Sequence, residues 1–186
     1  VVIERYLHKI PDLAEHFVYF NDDFYIINHL DKSRFFQNGL PCDISIFQYN
    51  PNWSQWYIRI KNNIKLINQH FDKKEVMSRF YKKWYNPIYG KKLWMNYLMK
   101  LYPKFITLRT PHNAQPFLKS MFEDVWKHCK KELTETSINR FRAVNDYTPE
   151  LFRAWQMCTG NFTPYNTYRD TKMFALMIKP KQQKAL

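Results

Sequence analysis

Glycine is scarce in this chain, with 3 residues among 186, and neither a G-x-G-x-x-G nor a P-loop pattern occurs. A Gly-rich loop that cradles a nucleotide is therefore not expected. Cysteine is also rare, and Cys42, Cys129 and Cys158 lie far apart in the sequence. Their odd number argues against a disulfide framework and a Cys-based zinc site, and it favours a reducing, cytoplasmic location. No apolar run approaches the roughly 20 residues that a transmembrane helix needs.

Acidic residues are few compared with basic ones. The chain has 16 Asp and Glu and 29 Lys and Arg, which gives a formal net charge of +13. Such an excess favours a polyanionic partner: nucleic acid, an anionic membrane surface or a phosphate-bearing substrate. Charge alone does not choose among the three. Apolar material is plentiful, at 45% hydrophobic and 18% aromatic residues, which is enough for one packed domain without disulfides or metals.

Both ends of the chain have the character of cut ends. Val1 leads directly into a predicted helix, and residues 179–186 contain no obvious closing element. We therefore expect this chain to be part of a longer protein. The sequence does not decide between a natural fragment and a truncated one.

The first 50 residues predict a core that contains strands. Residues 4–13 have the pattern of a short amphipathic helix that is stopped or bent near Pro11. Residues 17–20 are a β-favouring run that breaks into Asn21-Asp22-Asp23. Residues 24–27 and 44–49 are further β-favouring runs, on either side of a turn-rich stretch at residues 35–41.

From residue 53 the pattern becomes helical. Apolar residues recur at spacings of three and four along one face of a long helix: Trp56, Ile60, Ile64, Ile67 and Phe71. More helical segments follow at residues 76–85, 91–101, 117–130 and 135–143, with a turn at 86–90. The last helix has the clearest limits, with Thr148 as N-cap and Gly160 past its end. The pattern predicts an α/β protein with a helix-heavy second half.

Asn21-Asp22-Asp23 is the strongest chemical signal. Polar side chains at the carboxyl end of a buried strand are where open α/β sheets place ligand chemistry. Adjacent carboxylates suit Mg²⁺, which binds through one or two carboxylates together with substrate phosphates. A solvated turn explains the same residues, because Asn and Asp are common in turns.

His112 and two arginines are weaker signals. His112 lies in a loop before a predicted helix start near Pro116, a position where anions are favoured, and it can act as a general acid or base. Arg140 and Arg142 lie near the end of a predicted helix, where the guanidinium fork suits a diphosphate. The simpler interpretation is that His112 is an ordinary loop histidine and that the two arginines complement the negative end of a helix.

Aromatic and basic residues alternate in the stretch between residues 82 and 97. Trp84, Tyr85, Trp94 and Tyr97 could stack on nucleotide bases, but such a pattern more often means a buried aromatic face with lysines that reach past it to water.

The sequence segments that contain these residues resemble those of the Stealth family of sugar-1-phosphate transferases. YLHKIPDLAEHFVYFNDD, residues 6–23, is very similar to that family's second conserved region, and FFQNGLPCD, residues 35–43, continues as in bacterial members. KKWYNPIYGKKL, residues 82–93, resembles the spacer of capsule and cell-surface polysaccharide transferases. HNAQPFLKSMFEDVW and SINRFRAVNDYTPELFRAWQMCTGNFTP, residues 112–126 and 137–164, look like the third conserved region.

The resemblance implies transfer of a sugar-1-phosphate from a nucleotide-diphosphate sugar to a glycan acceptor hydroxyl, aided by Mg²⁺ or Mn²⁺. It implies part of a Rossmann-like transferase domain, with a strand-containing core at residues 1–50, a helical insertion at 51–108 and a helical part at 109–186. The family's N-D-D, H-x-x-Q and F-R-x-x-x-D fall on Asn21, Asp22 and Asp23, on His112 and Gln115, and on Phe141, Arg142 and Asp146.

These positions receive the following expected roles. Asp22 and Asp23 hold the metal or position the acceptor, His112 is a general base or phosphate contact, and Arg142 clamps the diphosphate. Asn21, Gln115, Arg140 and Asp146 contact substrate, and either Asp23 or His112 takes the proton. The family's first and fourth conserved regions are absent, so this chain is expected to be inactive alone or completed by a partner segment, and an oligomer is open.

Two other classes of function remain as alternatives. A basic nucleic-acid-binding module would use the charge, but the sequence has no RRM, zinc-finger or helix-turn-helix signature, so no specific nucleic acid is expected. Peripheral attachment at the inner face of a membrane would use the basic, aromatic residues 76–102. For the transferase we expect Asn21-Asp22-Asp23, His112 and Arg142 to line one cleft at the carboxyl end of the 17–20 strand, with the helices of residues 53–101 outside it.

Overall fold

The computed structural model describes residues 2–49, 55–141 and 143–172. In these residues the α-helices are α1 (Val2–Arg5), α2 (Gln55–His70), α3 (Lys73–Arg79), α4 (Tyr81–Trp84), α5 (Trp94–Leu98), α6 (Lys119–His128), α7 (Lys130–Ser137) and α8 (Glu150–Cys158). Short 3-10 helices lie at Leu7–Lys9, Lys32–Arg34, Pro87–Leu93 and Met99–Leu101. The strands are β1 (His16–Tyr19), β2 (Phe36–Gln37), β3 (Leu40–Asp43), β4 (Gln115–Leu118) and β5 (Thr163–Pro164). No helix in the described ranges is both long and apolar enough to cross a membrane.

The strands form two small sheets. β1 pairs antiparallel with β4, so that Tyr19 lies opposite Gln115. β2 and β3 form a hairpin whose turn residues Asn38 and Gly39 both have positive φ, the conformation that a tight hairpin turn requires. β5 then adds to β3 in parallel. The described strands therefore mix both orientations, and the Rossmann-like arrangement stays a prediction.

The main core lies between α2, α6 and α8 and the β1–β4 pair. Ile60, Ile64 and Ile67 are buried on one face of α2, which confirms the long helix expected there, although Trp56 is 48% exposed. The rings of Phe122 on α6 and Phe152 on α8 stack with centroids 4.0 Å apart. Since α2 packs in this core against α8, it contributes to the same hydrophobic interior as the flanking segments.

A buried ion pair joins the second sheet to α8. Arg153 on α8 donates from Nε to Asp43 Oδ2 at 2.6 Å and from a terminal amino group to Asp43 Oδ1 at 2.7 Å. The guanidinium also donates to the carbonyls of Arg109 and Ile44. This fork holds the end of β3 against the middle of α8.

Several predicted elements were wrong in the first fifty residues. The helix of residues 4–13 is replaced by α1 and the separate 3-10 turn Leu7–Lys9, which ends before Pro11. Residues 24–27 form no strand, and Tyr25 and Ile27 are 82% and 76% exposed in an open loop. Residues 44–49 are extended but form only an isolated bridge, Phe47 to Leu108.

Two helices in the second half begin or end elsewhere than predicted. The segment before α6 pairs with β1 as β4, so Pro116 and Phe117 are strand residues and the helix begins at Lys119. α7 ends at Ser137 and not near residue 143, so Arg140 follows the helix instead of lying on it. α8 begins as expected after Thr148, but the Thr148 hydroxyl accepts from Asn63 Nδ2 at 2.6 Å and does not cap the helix.

Buried thiols are consistent with the absence of a disulfide framework. Cys42, Cys129 and Cys158 are all buried and free. Burial raises the pKa of the Cys42 thiol to about 11 and that of Cys129 to about 12.

Candidate active site

The β1–β4 pair brings two distant motifs to one edge of its sheet. β1 ends at Tyr19 and runs into Asn21-Asp22-Asp23, whereas β4 begins at Gln115 directly after the loop that carries His112. Because the strands are antiparallel, the chain leaves β1 at the edge where it enters β4. The aspartates and the histidine therefore lie together although 89 positions separate Asp23 from His112.

His112 is held by two residues of the loop after β1. Its Nε2 lies 2.8 Å from Oδ2 of Asp23, and the two side chains are 49% and 59% exposed. The ring of Phe24 meets the imidazole edge to face, with centroids 4.8 Å apart. A carboxylate and an aromatic ring thus fix the orientation of an imidazole that remains open to a substrate.

A cavity of about 370 Å³ lies beside this pair, within the usual size range of small-molecule sites. The loop after β1, the loop before β4, α1, α2 and the turn into α8 all contribute to its wall. Asn21, Gln115 and His112 line it, whereas Asp23 contacts His112 without lining the cavity itself. The helices of residues 53–101 do not all lie outside it, since Trp56 and Arg59 of α2 form part of the wall.

One side of the cavity is acidic. Tyr19 donates a hydrogen bond to Glu4 at 2.7 Å, and Glu150 at the start of α8 also lines the wall. Burial, the bond to Glu4 and the charges of Glu4, Glu150 and Asp22 raise the pKa of Tyr19. Tyr19 therefore stays protonated, and this wall offers carboxylates and a phenol, groups that suit the hydroxyls of a sugar.

Arg59 is a wall residue that the sequence patterns did not single out. It is 8% exposed on α2 and its Nε has no hydrogen-bond partner among the described residues. The signal for it was present: Arg59 follows Trp56 by three positions and precedes Asn63 by four, so polar residues interrupt the apolar face of α2.

Three other predicted site residues, Asp22, Arg140 and Asp146, do not line the cavity. Asp22 is exposed and does not line the cavity. Arg140 is exposed, with its guanidinium 5.5 Å from the ring of Phe141. Asp146 is 1% exposed and accepts from Asn139 Nδ2 and from the Ala143 N–H, both at 2.8 Å, so it holds the turn before α8 together. Arg142 lies outside the described residues.

The aromatic and basic stretch divides into two parts. Trp84 and Tyr85 are 0% and 7% exposed and belong to the core, so base stacking on them is excluded by burial. Trp94 and Tyr97 are 59% and 51% exposed.

The described residues contain no group of three or more His, Cys, Asp or Glu side chains placed to hold a metal. Asp22 and Asp23 nevertheless offer exposed carboxylate oxygens next to each other. That donor set fits Mg²⁺, which takes one or two carboxylates and completes its shell with substrate phosphates and water.

Comparison with known proteins shows relatives that are polysaccharide phosphotransferases. A capsular polysaccharide phosphotransferase of Streptococcus pneumoniae is 34% identical over 166 residues, which cover 89% of this chain and 50% of that protein. An exopolysaccharide phosphotransferase of Lactiplantibacillus plantarum is 36% identical over 163 residues, covering 87% and 48%. A capsular polysaccharide phosphotransferase of Haemophilus influenzae is 33% identical over 174 residues, covering 92% and 38%.

The chain spans about half the length, or less, of the curated relatives it matches. No protein-family model matches it. The chain is thus a homologue of capsular and exopolysaccharide phosphotransferases over most of its own length.

Proposed function

We propose that the protein transfers a sugar-1-phosphate from a nucleotide-diphosphate sugar to a hydroxyl of a glycan acceptor, in the synthesis of a capsular or cell-surface polysaccharide. The observation that carries this proposal is the His112–Asp23 contact at the edge of the cavity. The relatives named as polysaccharide phosphotransferases support it, and so does the order of the Stealth-like motifs, on which we assign the chain to that family and its Rossmann-like fold.

The reaction has a simple atom balance. The acceptor oxygen attacks the phosphorus next to the sugar, the bond to the bridging oxygen breaks, and the products are a sugar phosphodiester and a nucleoside monophosphate. The acceptor proton must leave as the new P–O bond forms, and the charge on the phosphate oxygens must be neutralised.

His112 is the proton acceptor in our proposal. With Nε2 donating to Asp23, the other ring nitrogen keeps a lone pair, and the carboxylate stabilises the imidazolium that forms when the proton arrives. Asp23 then orients the imidazole of His112 and stabilises its protonated form. Asp22 and the second oxygen of Asp23 are the groups that would hold Mg²⁺ or Mn²⁺, and the ion would supply positive charge to the diphosphate.

The remaining roles follow from position. Asn21 and Gln115 contact substrate from the cavity wall, and Glu4 and Glu150 on the acidic side accept hydrogen bonds from sugar hydroxyls. The family resemblance adds Arg142 as a diphosphate clamp, with Arg140 and Asp146 near it.

The test is the identity of the nucleotide that the intact protein releases from a panel of nucleotide-diphosphate sugars in the presence of polysaccharide acceptors. Phosphotransfer releases the monophosphate and forms a phosphodiester visible by ³¹P NMR. His112→Ala and Asp23→Asn should each lower kcat by about 10²–10⁴-fold, the usual contribution of general base catalysis.

His128→Gln is the matched control, because His128 is an exposed histidine on α6 that does not line the cavity. It should keep wild-type turnover. Release of the nucleoside diphosphate would identify a glycosyltransferase and contradict the proposal, as would full turnover in both site variants.

We also propose that the protein binds the surface of an anionic membrane. Trp94, Leu98 and Leu101 recur at spacings of four and three, and are 59%, 56% and 93% exposed. Residues 76–122 contain nine Lys and Arg and no Asp or Glu. Apolar side chains set among lysines match an interface of acyl chains and anionic headgroups.

A further inference from the structure

Arg59 is a charged side chain of the cavity wall whose Nε is buried without a hydrogen-bond acceptor among the described residues. The residue as a whole is 8% exposed. Glu4 and Glu150 line the same cavity. The other buried arginines differ, because Arg5 donates to Thr136 and Arg153 donates to Asp43.

An arrangement of this kind costs folding free energy. A guanidinium N–H taken out of water without an acceptor loses its hydration and gains nothing in return. Residues held in such unfavourable states cluster at binding sites, where a ligand supplies the missing partner. The missing partner here is an anion, and the cavity is the route by which it arrives.

The surroundings of Arg59 favour a phosphate. α8 begins at Glu150, and Glu150 lines the cavity together with the two residues before it, so the positive end of a nine-residue helix borders the same space. Trp56, one turn before Arg59, presents a half-exposed ring to the cavity, which suits the flat face of a base or sugar. The guanidinium fork pairs with phosphate oxygens through two parallel hydrogen bonds.

We infer that Arg59 binds the phosphate oxygens of the donor diphosphate and is the partner that the cavity lacks in the free protein. The inference rests on the proposed function for the identity of the ligand, but the anion site itself does not. Glu4, Glu150 and Arg59 all line the cavity, so it offers groups for both ends of a nucleotide-diphosphate sugar: carboxylates for the sugar hydroxyls and a guanidinium for the diphosphate.

The first experiment measures anion binding without any sugar. Isothermal titration calorimetry of the full chain with inorganic pyrophosphate should show binding that weakens at least roughly tenfold in Arg59→Met, the loss expected for hydrogen bonds to a charged group. Arg59→Lys should recover only part of the affinity, because lysine keeps the charge and loses the fork. Arg79→Met removes an exposed arginine on α3 and should bind like the wild type.

Thermal unfolding separates a ligand-binding role from a structural one. Without phosphate, Arg59→Met should melt at the same temperature as the wild type or higher, since the variant removes a buried N–H that has no acceptor. A structural arginine would give a lower melting temperature instead. Pyrophosphate should raise the melting temperature of the wild type and not that of Arg59→Met.

The intact protein then separates this inference from the proposed function. Arg59→Met should raise the donor KM at least roughly tenfold. Transfer with an unchanged donor KM, or a wild type that does not bind pyrophosphate, would overturn the role of Arg59 and leave the transferase standing. Arg59-dependent pyrophosphate binding without transfer from any donor would overturn the transferase and leave the anion site. Binding of orthophosphate as tightly as pyrophosphate would contradict a site for a diphosphate.

Discussion

Buried charges in this protein differ in how they are compensated. Arg153 has a carboxylate partner in Asp43, whereas Lys73 donates to the carbonyls of Met99 and Tyr102, and Lys83 to those of Gly160 and Phe162. Burial lowers the pKa of both lysines, and the carbonyl oxygens offset part of that cost. These three side chains hold loops in place. Arg59 differs from them because its Nε has no hydrogen-bond acceptor among the described residues.

His8 makes the stability of the fold depend on pH. It is 6% exposed, its Nδ1 has no partner in the described structure, and burial lowers its pKa. An unfolded histidine titrates near 6.5, so below that pH the unfolded chain binds a proton that the folded protein resists. The contribution of His8 to the free energy of unfolding is therefore fully present above about pH 6.5 and is lost as pH falls toward the lowered pKa.

Replacing His8 with Phe tests this dependence, because a ring of similar shape keeps the contacts with Trp126 and Phe122. Urea unfolding at pH 8, 7, 6 and 5 should show the wild type losing more free energy of unfolding than His8→Phe between pH 7 and 5. Between pH 8 and 7 the difference between the two proteins should stay constant. Parallel curves down to pH 5 would show that His8 does not titrate on unfolding.

At the scale of elements, the end of α8 depends on a close approach that only glycine permits. Gly160 has φ +76°, and a Cβ there would lie 2.3 Å from the ring of Phe80. Gly39 has a similar φ of +73°, but a Cβ there would meet only His16 Nε2 at 3.9 Å. The two positions share the backbone conformation and differ in available space.

Alanine substitutions at Gly39 and Gly160 should separate the cost of backbone strain from the cost of steric overlap with Phe80. Gly39→Ala should lower the free energy of unfolding by about 1–2 kcal/mol, the cost of a left-handed residue with a side chain. Gly160→Ala should lose about 1–3 kcal/mol more, because Phe80 must move out of a packed core. Equal losses in urea denaturation would mean that Phe80 shifts without cost.

The exposed stripe of α5 and the 3-10 turn after it carries the membrane proposal. Flotation with vesicles should recover the wild type on vesicles that contain about one-third anionic lipid, and much less of it on neutral vesicles or at high salt. Leu98→Glu with Leu101→Glu should abolish most of that binding. Ile138→Glu, which alters an 82% exposed residue elsewhere, is the control and should bind normally.

A wild type that stays in solution with anionic vesicles at low salt would contradict the membrane proposal. Tight, salt-sensitive binding of random oligonucleotides in its place would instead favour the nucleic-acid module.

At the scale of the whole molecule, the Asp43–Arg153 pair connects the second sheet to the main core. Asp43→Ala leaves Arg153, which is 2% exposed, as an uncompensated charge. We expect a loss of about 3–5 kcal/mol in the free energy of unfolding. The double variant Asp43→Ala with Arg153→Met removes both charges and should recover part of that loss. A double variant less stable than Asp43→Ala would show that the contacts of Arg153 with backbone carbonyls dominate.

Local patterns predicted the parts of the fold whose causes are local. The spacing of Ile60, Ile64 and Ile67 predicted α2, and the run of residues 17–20 predicted β1 to within one residue at each end. Both succeeded because periodic burial and side-chain shape act over a few positions. The run at residues 24–27 was misread because β-favouring residues become a strand only when another strand pairs with them. Pro116 and Phe117 were misread for the opposite reason: β1 pairs with a segment whose pattern is helical.

The candidate site divides in the same way. The amino-acid sequence by itself predicted the chemistry: residue types and positions singled out Asn21-Asp22-Asp23 and His112, and the family resemblance added Gln115. Only the tertiary structure decided the geometry: the antiparallel pairing of β1 with β4 sets Asp23 against His112, and the packing of α2 beside α8 places Arg59 on the cavity wall. The physical reason is range, because a side chain's type and its local conformation depend on near neighbours, whereas a contact across 89 positions or an unpaired buried charge exists only once distant segments have packed together.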